Sequence, residues 1–222
     1  MTFTETFLNA RILAIALPRV AEGFGVTVVL AILVVLAGLA AGLALAVVRA
    51  FRLRALNLLI VFAVDLFRAL PPLVIIVLIY FGLPALGISL SGFAATWLSL
   101  TLVLAAFAEE IFWAGILAVP AGQWDAARGL GLRFIPTLAL VVLPQAIRLT
   151  IPPLTNRTIA IIKGTALGSV VGMYEILASA QSVVSEYYNP SPLLLGSAAY
   201  LVLFLPVVAF GRWVETRFAW KR

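Results

Sequence analysis

Residues 25–48 form an uncharged apolar run of 24 residues, closed by Arg49, Arg52 and Arg54. At 1.5 Å per residue such a helix is ~36 Å long, enough to cross a hydrocarbon layer of ~30 Å. Similar runs recur down the chain and are separated by short basic or Pro/Gly-rich breaks. Hydrophobic residues make up 64% and charged residues 11% of the 222, with a mean hydropathy of +1.17. A water-soluble domain carries about a quarter charged residues, so this chain has too little polar surface to cover a globule. The reading is an all-α integral membrane protein, a single domain over residues 1–222. Cysteine and histidine are both absent. That excludes disulfides and thiolate sites and removes the commonest general base and transition-metal ligand; no metal site and no catalytic residues are predicted. The net charge of +6 comes from basic residues flanking apolar runs, without a basic tract interleaved with aromatics, so no nucleic-acid partner is expected.

Five spans are predicted. An interfacial N-terminal helix over residues 1–22 precedes the first, about Gly25 to Val48. The second runs from about Leu56 to Phe81 and is interrupted by Pro71 and Pro72. An uncharged linker, Gly82 to Gly92, leads to the third, about Phe93 to Val119. A polar stretch over 120–133 follows. Phe134 to Leu143 is too short to cross, and Pro144, Gln145 and Arg148 interrupt it; it reads as a membrane-surface helix before a fourth span, about Pro152 to Tyr174. The fifth runs from about Leu193 to Val214. Arg49, Arg52, Arg54, Arg128, Arg133, Arg148, Arg157, Arg212, Arg217, Lys221 and Arg222 then fall on one side, against Arg11 and Arg19 on the other. The bias puts the N-terminus outside and the C-terminus in the cytoplasm.

Asp65, Arg68, Glu109, Glu110 and Lys163 lie within these spans. Each charge at a helix centre costs ~2.5–3.5 kcal/mol on insertion scales, so each requires a partner or water. Two readings stand: ion pairs that hold the bundle together, or a route for a charged or zwitterionic solute. Arg68 and Lys163 both fall near the midplane, and Asp65 and Arg68 share a helix face three residues apart. Pro71-Pro72 breaks a helix at depth, where freed carbonyls must face protein or water. Gly38 with Gly42, and Gly164 with Gly168 and Gly172, form small-residue stripes suited to helix seams.

The stretch from Val119 to Leu132 reads as a turn at Pro120 and Gly122, then a short helix. Asp125 sits at its start as a cap, Ala126 and Ala127 are bare toward a partner, Gly129 and Gly131 end it, and Leu130 and Leu132 anchor it. Such a stub can enter a groove on another protein.

With Asp125-Ala126-Ala127, Gly129 and Leu143-Pro144 this stretch resembles the EAA loop of ABC-transporter permeases. Phe67-Arg68 with Pro71, Tyr80-Phe81-Gly82-Leu83-Pro84, Glu110-Ile111 with Gly115-Ile116, and Gly122-Gln123-Trp124 extend the resemblance to the polar amino acid uptake branch. Leu143 to Arg148, Pro152, Asn156, and Lys163 with Thr165 and Leu167 complete it, over roughly residues 20–217. The chain departs from the pattern at Asp125 (usually Glu), Trp113 (often Arg), Ala166 (often Ser) and Glu109 (usually small). The resemblance implies a type I importer (MetI-like) fold with a coupling helix, and a permease that is not itself an enzyme. It implies a second permease subunit, identical or homologous, two ATPase subunits and an extracytoplasmic solute-binding protein, with an amino acid as solute. No G-x-x-x-x-G-K-[ST] loop is present, so ATP and Mg are expected on the ATPase and no cofactor on this chain. Gly122, Gln123, Asp125, Ala126, Ala127 and Gly129 are the candidate coupling residues. Asp65, Arg68, Glu109, Glu110, Lys163 and Thr165 are the candidate solute pathway. A secondary transporter or channel subunit, ion-coupled through intramembrane carboxylates, is the alternative reading.

Overall fold

A computed structural model describes residues 3–218; Lys221 and Arg222, counted above toward the orientation, lie outside them. After a short α1 (Phe3–Phe7), Asn9 caps α2 by accepting from the Ile12 N–H. Helix α2 (Ala10–Ala50) is 41 residues long, ~62 Å at helical rise, twice a bilayer's hydrocarbon depth. The sequence separates residues 1–22 from the first span, but the backbone breaks at Leu8-Asn9 instead, and residues 10–22 belong to the same helix as the span. No glycine-proline pair interrupts the helical hydrogen bonding there, and Pro18 is absorbed within α2.

The second crossing is α3 (Arg54–Ala69) followed by α4 (Pro72–Val77), a wide π turn (Leu78–Gly82) and a 3₁₀ turn (Leu83–Leu86). The two legs meet at an angle of 104°. Pro71 and Pro72 lack the N–H groups that would carry the helix through, so the chain turns there as the sequence predicts. Helix α5 (Gly92–Ala118), capped by Ser91, is the centre of the bundle. Its most apolar eighteen residues are 61% buried against 6% for α10 (Ser191–Phe218). The Gly38/Gly42 stripe is the seam between α2 and α5. A Cβ at Gly38 would lie 2.8 Å from Leu104, and one at Gly42 2.6 Å from the Ala108 Cβ. Only a missing side chain allows this approach.

The fourth crossing corrects the sequence reading. Phe134 to Lys163 is one continuous helical rod: α7 (Phe134–Thr137), a π turn (Leu138–Val142) and α8 (Leu143–Lys163). The proposed surface helix and the span starting at Pro152 are the two halves of this rod. Pro144 follows the widened π turn, where its ring has room. Gln145 Nε2 donates to the Val141 carbonyl (2.7 Å), and Thr155 and Asn156 donate to the carbonyls of Ile151 and Pro152 around the second proline pair. The π turn shifts the hydrogen-bond register just before Pro144, one of the ways membrane helices accommodate proline. The rod stops at Lys163, short of the expected Tyr174. Gly164–Val171 is 3₁₀, and Gly172 turns it with φ 74°. In this stripe Gly164 and Gly168 pack against α5, where an added Cβ would lie 3.3 Å from Leu100 and 2.9 Å from Thr96 Oγ1, and Gly172 makes the turn.

Helix α9 (Ile176–Tyr187) is fixed by a polar knot absent from the sequence reading. The buried Glu175 carboxylate accepts from the N–H groups of Leu177 and Ala178 and from the Tyr200 hydroxyl of α10. Thr27 of α2 accepts from the Ile176 N–H. This knot and α6 (Ala121–Gly129) sit at opposite ends of the bundle.

Candidate transport pathway and coupling surface

The intramembrane charges divide into two kinds. Glu109 on α5 is 0% exposed and accepts from the Arg49 guanidinium at 3.0 and 3.2 Å, while that guanidinium lies 4.8 Å from the centre of the Trp113 ring. Arg49, expected as a free surface anchor, is instead folded inward from the end of α2. Glu109 thus faces a bundle partner, unlike the solute-facing residue expected. Its neighbour Glu110 points a helical 100° away and is half-exposed. It pairs with Arg68 of α3 at 2.5 Å, and Arg68 also approaches Asp65 at 3.6 Å. The Asp65 side chain is 65% exposed. Lys163 is exposed and makes no ion pair among the described residues.

Arg157 joins this second group and was missed. It is placed with the surface arginines above, yet it lies 23 residues beyond Phe134, ~35 Å along the rod. Its guanidinium sits 3.7 Å from the centre of the Phe107 ring, with Arg68 5.5 Å from the same ring. Two guanidiniums against one aromatic ring are a cation–π arrangement. The signal in the sequence was the rod itself, hidden by its prolines. Lys163 likewise moves: it closes the rod, next to Gly164, whose added Cβ would lie 3.3 Å from Leu100 in the far half of α5. Thr165 is wholly buried and donates to the Ile162 carbonyl at 2.8 Å, so its hydroxyl is spent within the turn. Arg68 Nε is buried without a hydrogen-bond partner, as are Trp97 Nε1 and Thr101 Oγ1, one turn apart on α5.

At the other end, α6 starts at Ala121 behind Pro120, with no side-chain cap. Asp125 lies mid-helix and exposed, and is not the cap that the sequence suggests. Gly131, at φ 84°, closes the helix: the Leu132 N–H reaches the Ala127 carbonyl and the Gly131 N–H that of Arg128. Ala127 is buried, on a helix packed against α7 and the π turn, so the outward surface includes Gly122, Asp125, Ala126 and Gly129. Leu130, expected as an anchor, is 85% exposed and belongs to that surface. Gln123 accepts from the Gln145 side chain at 3.3 Å, tying α6 to the rod. Trp124 stacks on Phe134. Helix α6 is thereby joined to α5 through Val119 and to the rod through Phe134 and Gln145.

A bundle with a surface helix between its third and fourth crossings and a polar face at membrane depth is the membrane part of a transport machine. Over residues 38–220 the chain matches the family described as binding-protein-dependent transport system inner membrane component, and it belongs to that family. It is 34% identical over 202 residues to the probable glutamine ABC transporter permease protein GlnM of Bacillus subtilis (strain 168), covering 88% of this chain and 91% of that protein. Its fold superposes on the crystal structure of an amino acid ABC transporter with histidines at a TM-score of 0.86 and 31% identity, covering 98% of this chain and 100% of the other. The MetNI methionine ABC transporter, in an inward-facing conformation, has the same fold at a TM-score of 0.67 and 21% identity, over 95% and 99% of the two chains. The chain is thus an ABC transporter permease of the type I importer fold, a multi-pass, non-catalytic inner-membrane subunit. That sets aside the ion-coupled secondary transporter.

Proposed function

We propose that this permease imports an amino acid by alternating access, with its α6 seated in a separate ATPase subunit. Asp65, Arg68, Glu110, Arg157 and Lys163 form the wall of an aqueous cavity completed by a second permease, identical or homologous. The observation that carries this is the exposure of Asp65 and Glu110 at membrane depth, both joined to Arg68 on one face, with Lys163 exposed at the end of the rod. Lipid does not tolerate such a face, whereas water and a polar solute do. A zwitterionic amino acid suits paired signs: guanidinium or ammonium groups for its carboxylate, Glu110 or Asp65 for its ammonium. The relatives' amino acid solutes support the same class. Glu109 and Thr165, both buried and internally partnered, support the wall from behind.

ATP and Mg bind the ATPase, and an extracytoplasmic binding protein delivers the solute. The α6 end is cytoplasmic, because Arg52, Arg54, Arg128 and Arg133 cluster there. Gly122, Gln123, Asp125, Ala126 and Gly129 make the ATPase contact, and Ala127 seats the helix. The test is reconstitution with the co-purifying ATPase and binding protein, reading amino-acid-stimulated ATP turnover and uptake across a solute panel. Stimulation by one or a few amino acids is expected; a complex that hydrolyses ATP yet moves none overturns the reading. Sidedness is checked with Leu130→Cys and Tyr188→Cys, both highly exposed. They are expected to label from opposite sides of the membrane, and labelling from the same side overturns the topology.

A further inference from the structure

Behind α6, where α2 and α5 end, lies a crevice of about 520 Å³. Arg52 and Arg128 face it from two sides, Asp125 lines it, and Trp113, Trp124 and Phe134 form aromatic walls. We propose that this crevice holds the phosphodiester headgroup of an anionic glycerophospholipid from the adjoining leaflet.

Four observations carry it. First, Arg52 and Arg128 make no ion pair among the described residues, while neighbouring Arg49 is already committed to Glu109. Second, Arg52 has φ 56°, in the left-handed region that non-glycine side chains rarely occupy, and its N–H is tied to the Arg49 carbonyl at 3.0 Å. The turn brings the Arg52 backbone to the crevice, and its side chain is exposed there to reach a headgroup. Third, the wall continues into exposed apolar surface: Leu117, which lines the crevice, is 58% exposed. A soluble anion has no use for that surface, whereas a lipid's glycerol and acyl chain cover it. The indoles are the side chains that favour the membrane–water boundary. Fourth, the charges fit. Two guanidiniums and one carboxylate leave a single positive charge for one phosphodiester, and Asp125 accepts from a headgroup hydroxyl, which favours a glycerol headgroup over choline.

The crevice shares only Asp125 with the proposed ATPase surface. At 100° per residue, Trp124 and Arg128 share one flank of α6, and Ala126 and Leu130 lie about 160° round from Arg128. A lipid here wedges α6 against α2 and α5, and its binding is independent of which solute is moved.

The test titrates the purified full-length chain in mild detergent with dioleoylphosphatidylglycerol, dioleoylphosphatidylcholine or inorganic phosphate, reading bound adducts by native mass spectrometry. Phosphatidylglycerol is expected to bind about thirty-fold tighter than phosphatidylcholine, the contribution of two basic side chains. The Arg52→Gln/Arg128→Gln double variant is expected to lose that preference, and Arg54→Gln to keep it. Equal binding of the two lipids, an unchanged double variant, or an equal loss in Arg54→Gln overturns the proposal. Displacement of the lipid by millimolar phosphate reassigns the site to a soluble anion and also overturns it. Should the double variant misfold, the wild-type chain decides: brominated-chain phosphatidylglycerol is expected to quench tryptophan fluorescence more than brominated phosphatidylcholine, and equal quenching sinks the idea.

Discussion

The face of α10 and the face shared by α3, α5 and α8 are both surfaces of apolar helices, yet they solve opposite problems. On α10, Leu201, Val202, Leu205 and Phe210 are all exposed, and the groove it forms with α2 and α8 is lined almost entirely by aliphatic side chains. Lipid tails are an adequate solvent for it. On the other side, Asp65, Arg68, Glu110 and Arg157 stand within the layer, with Lys163 exposed further along the rod. The first three partly neutralise one another, and Arg68 and Arg157 share one aromatic ring. Hydropathy averaged over a span does not separate the two faces. What separates them is where a few charges fall around each helix and how deep the tertiary packing sets them.

The comparison can be broken most forcefully at Glu109, which belongs to neither surface. Glu109→Ala leaves the partly buried Arg49 guanidinium without its partner; removal of one member of a fully buried pair costs about 3–5 kcal/mol, and the partial exposure of Arg49 lowers that. A large fall in the thermal unfolding midpoint in detergent is expected, whereas a change in solute affinity at unchanged stability would place Glu109 on the pathway after all. Next comes a charge on the lipid face. Leu205→Arg is expected to cost about 2.5–3.5 kcal/mol of membrane insertion, read as loss of the folded, membrane-integrated fraction. Normal integration would mean that α10 borders water or a partner.

On the polar face, Arg68→Ala is expected to lower uptake by at least about tenfold, since a charged partner left unpaired forfeits ~1.5–3 kcal/mol, while stability falls less than in the Glu109 variant. Uptake at the wild-type rate would reduce the charged face to a structural device. The two alanines of α6 sharpen the coupling surface. Ala126→Trp is expected to leave the fold intact and uncouple ATP hydrolysis from uptake, whereas Ala127→Trp overpacks a buried site and costs about 1–3 kcal/mol of stability. A reversal of the two phenotypes would rotate α6 on its partner. The smallest effect is expected from Leu205→Ala, within about 0.5 kcal/mol because the side chain is exposed. The chain has no native cysteine, which allows a direct contrast: Asp65→Cys and Lys163→Cys react with a water-soluble maleimide, and Leu201→Cys does not.

Much of this was legible in the residues. The membrane class, the Pro71-Pro72 break, the third and fifth spans and the short helix at 121–129 all follow from apolar run length and from proline's missing N–H. The Arg68–Asp65 proximity follows from helical spacing. The fourth crossing was not legible, because three prolines in ten residues, Pro144, Pro152 and Pro153, imitate a break. The helix nonetheless runs through them, with a π turn just before Pro144 that no hydropathy window registers. That one misreading carried Arg157 to the wrong place and shifted Lys163.

The sequence by itself determined that the chain lives in a bilayer, because burying 64% of its residues in a water-soluble globule is impossible, and it determined that α6 is short and small-faced. Tertiary structure alone decided which carboxylate is a brace and which is a wall. Glu109 and Glu110 are adjacent and chemically identical, but 100° of helix rotation turns one toward Arg49 and the other toward Arg68 and open space. The same rotation decided that Ala127 faces home and Ala126 faces out. A one-residue step carries no compositional signal; only the packing of α2 and α3 against α5, and of α6 beneath it, gives it a direction.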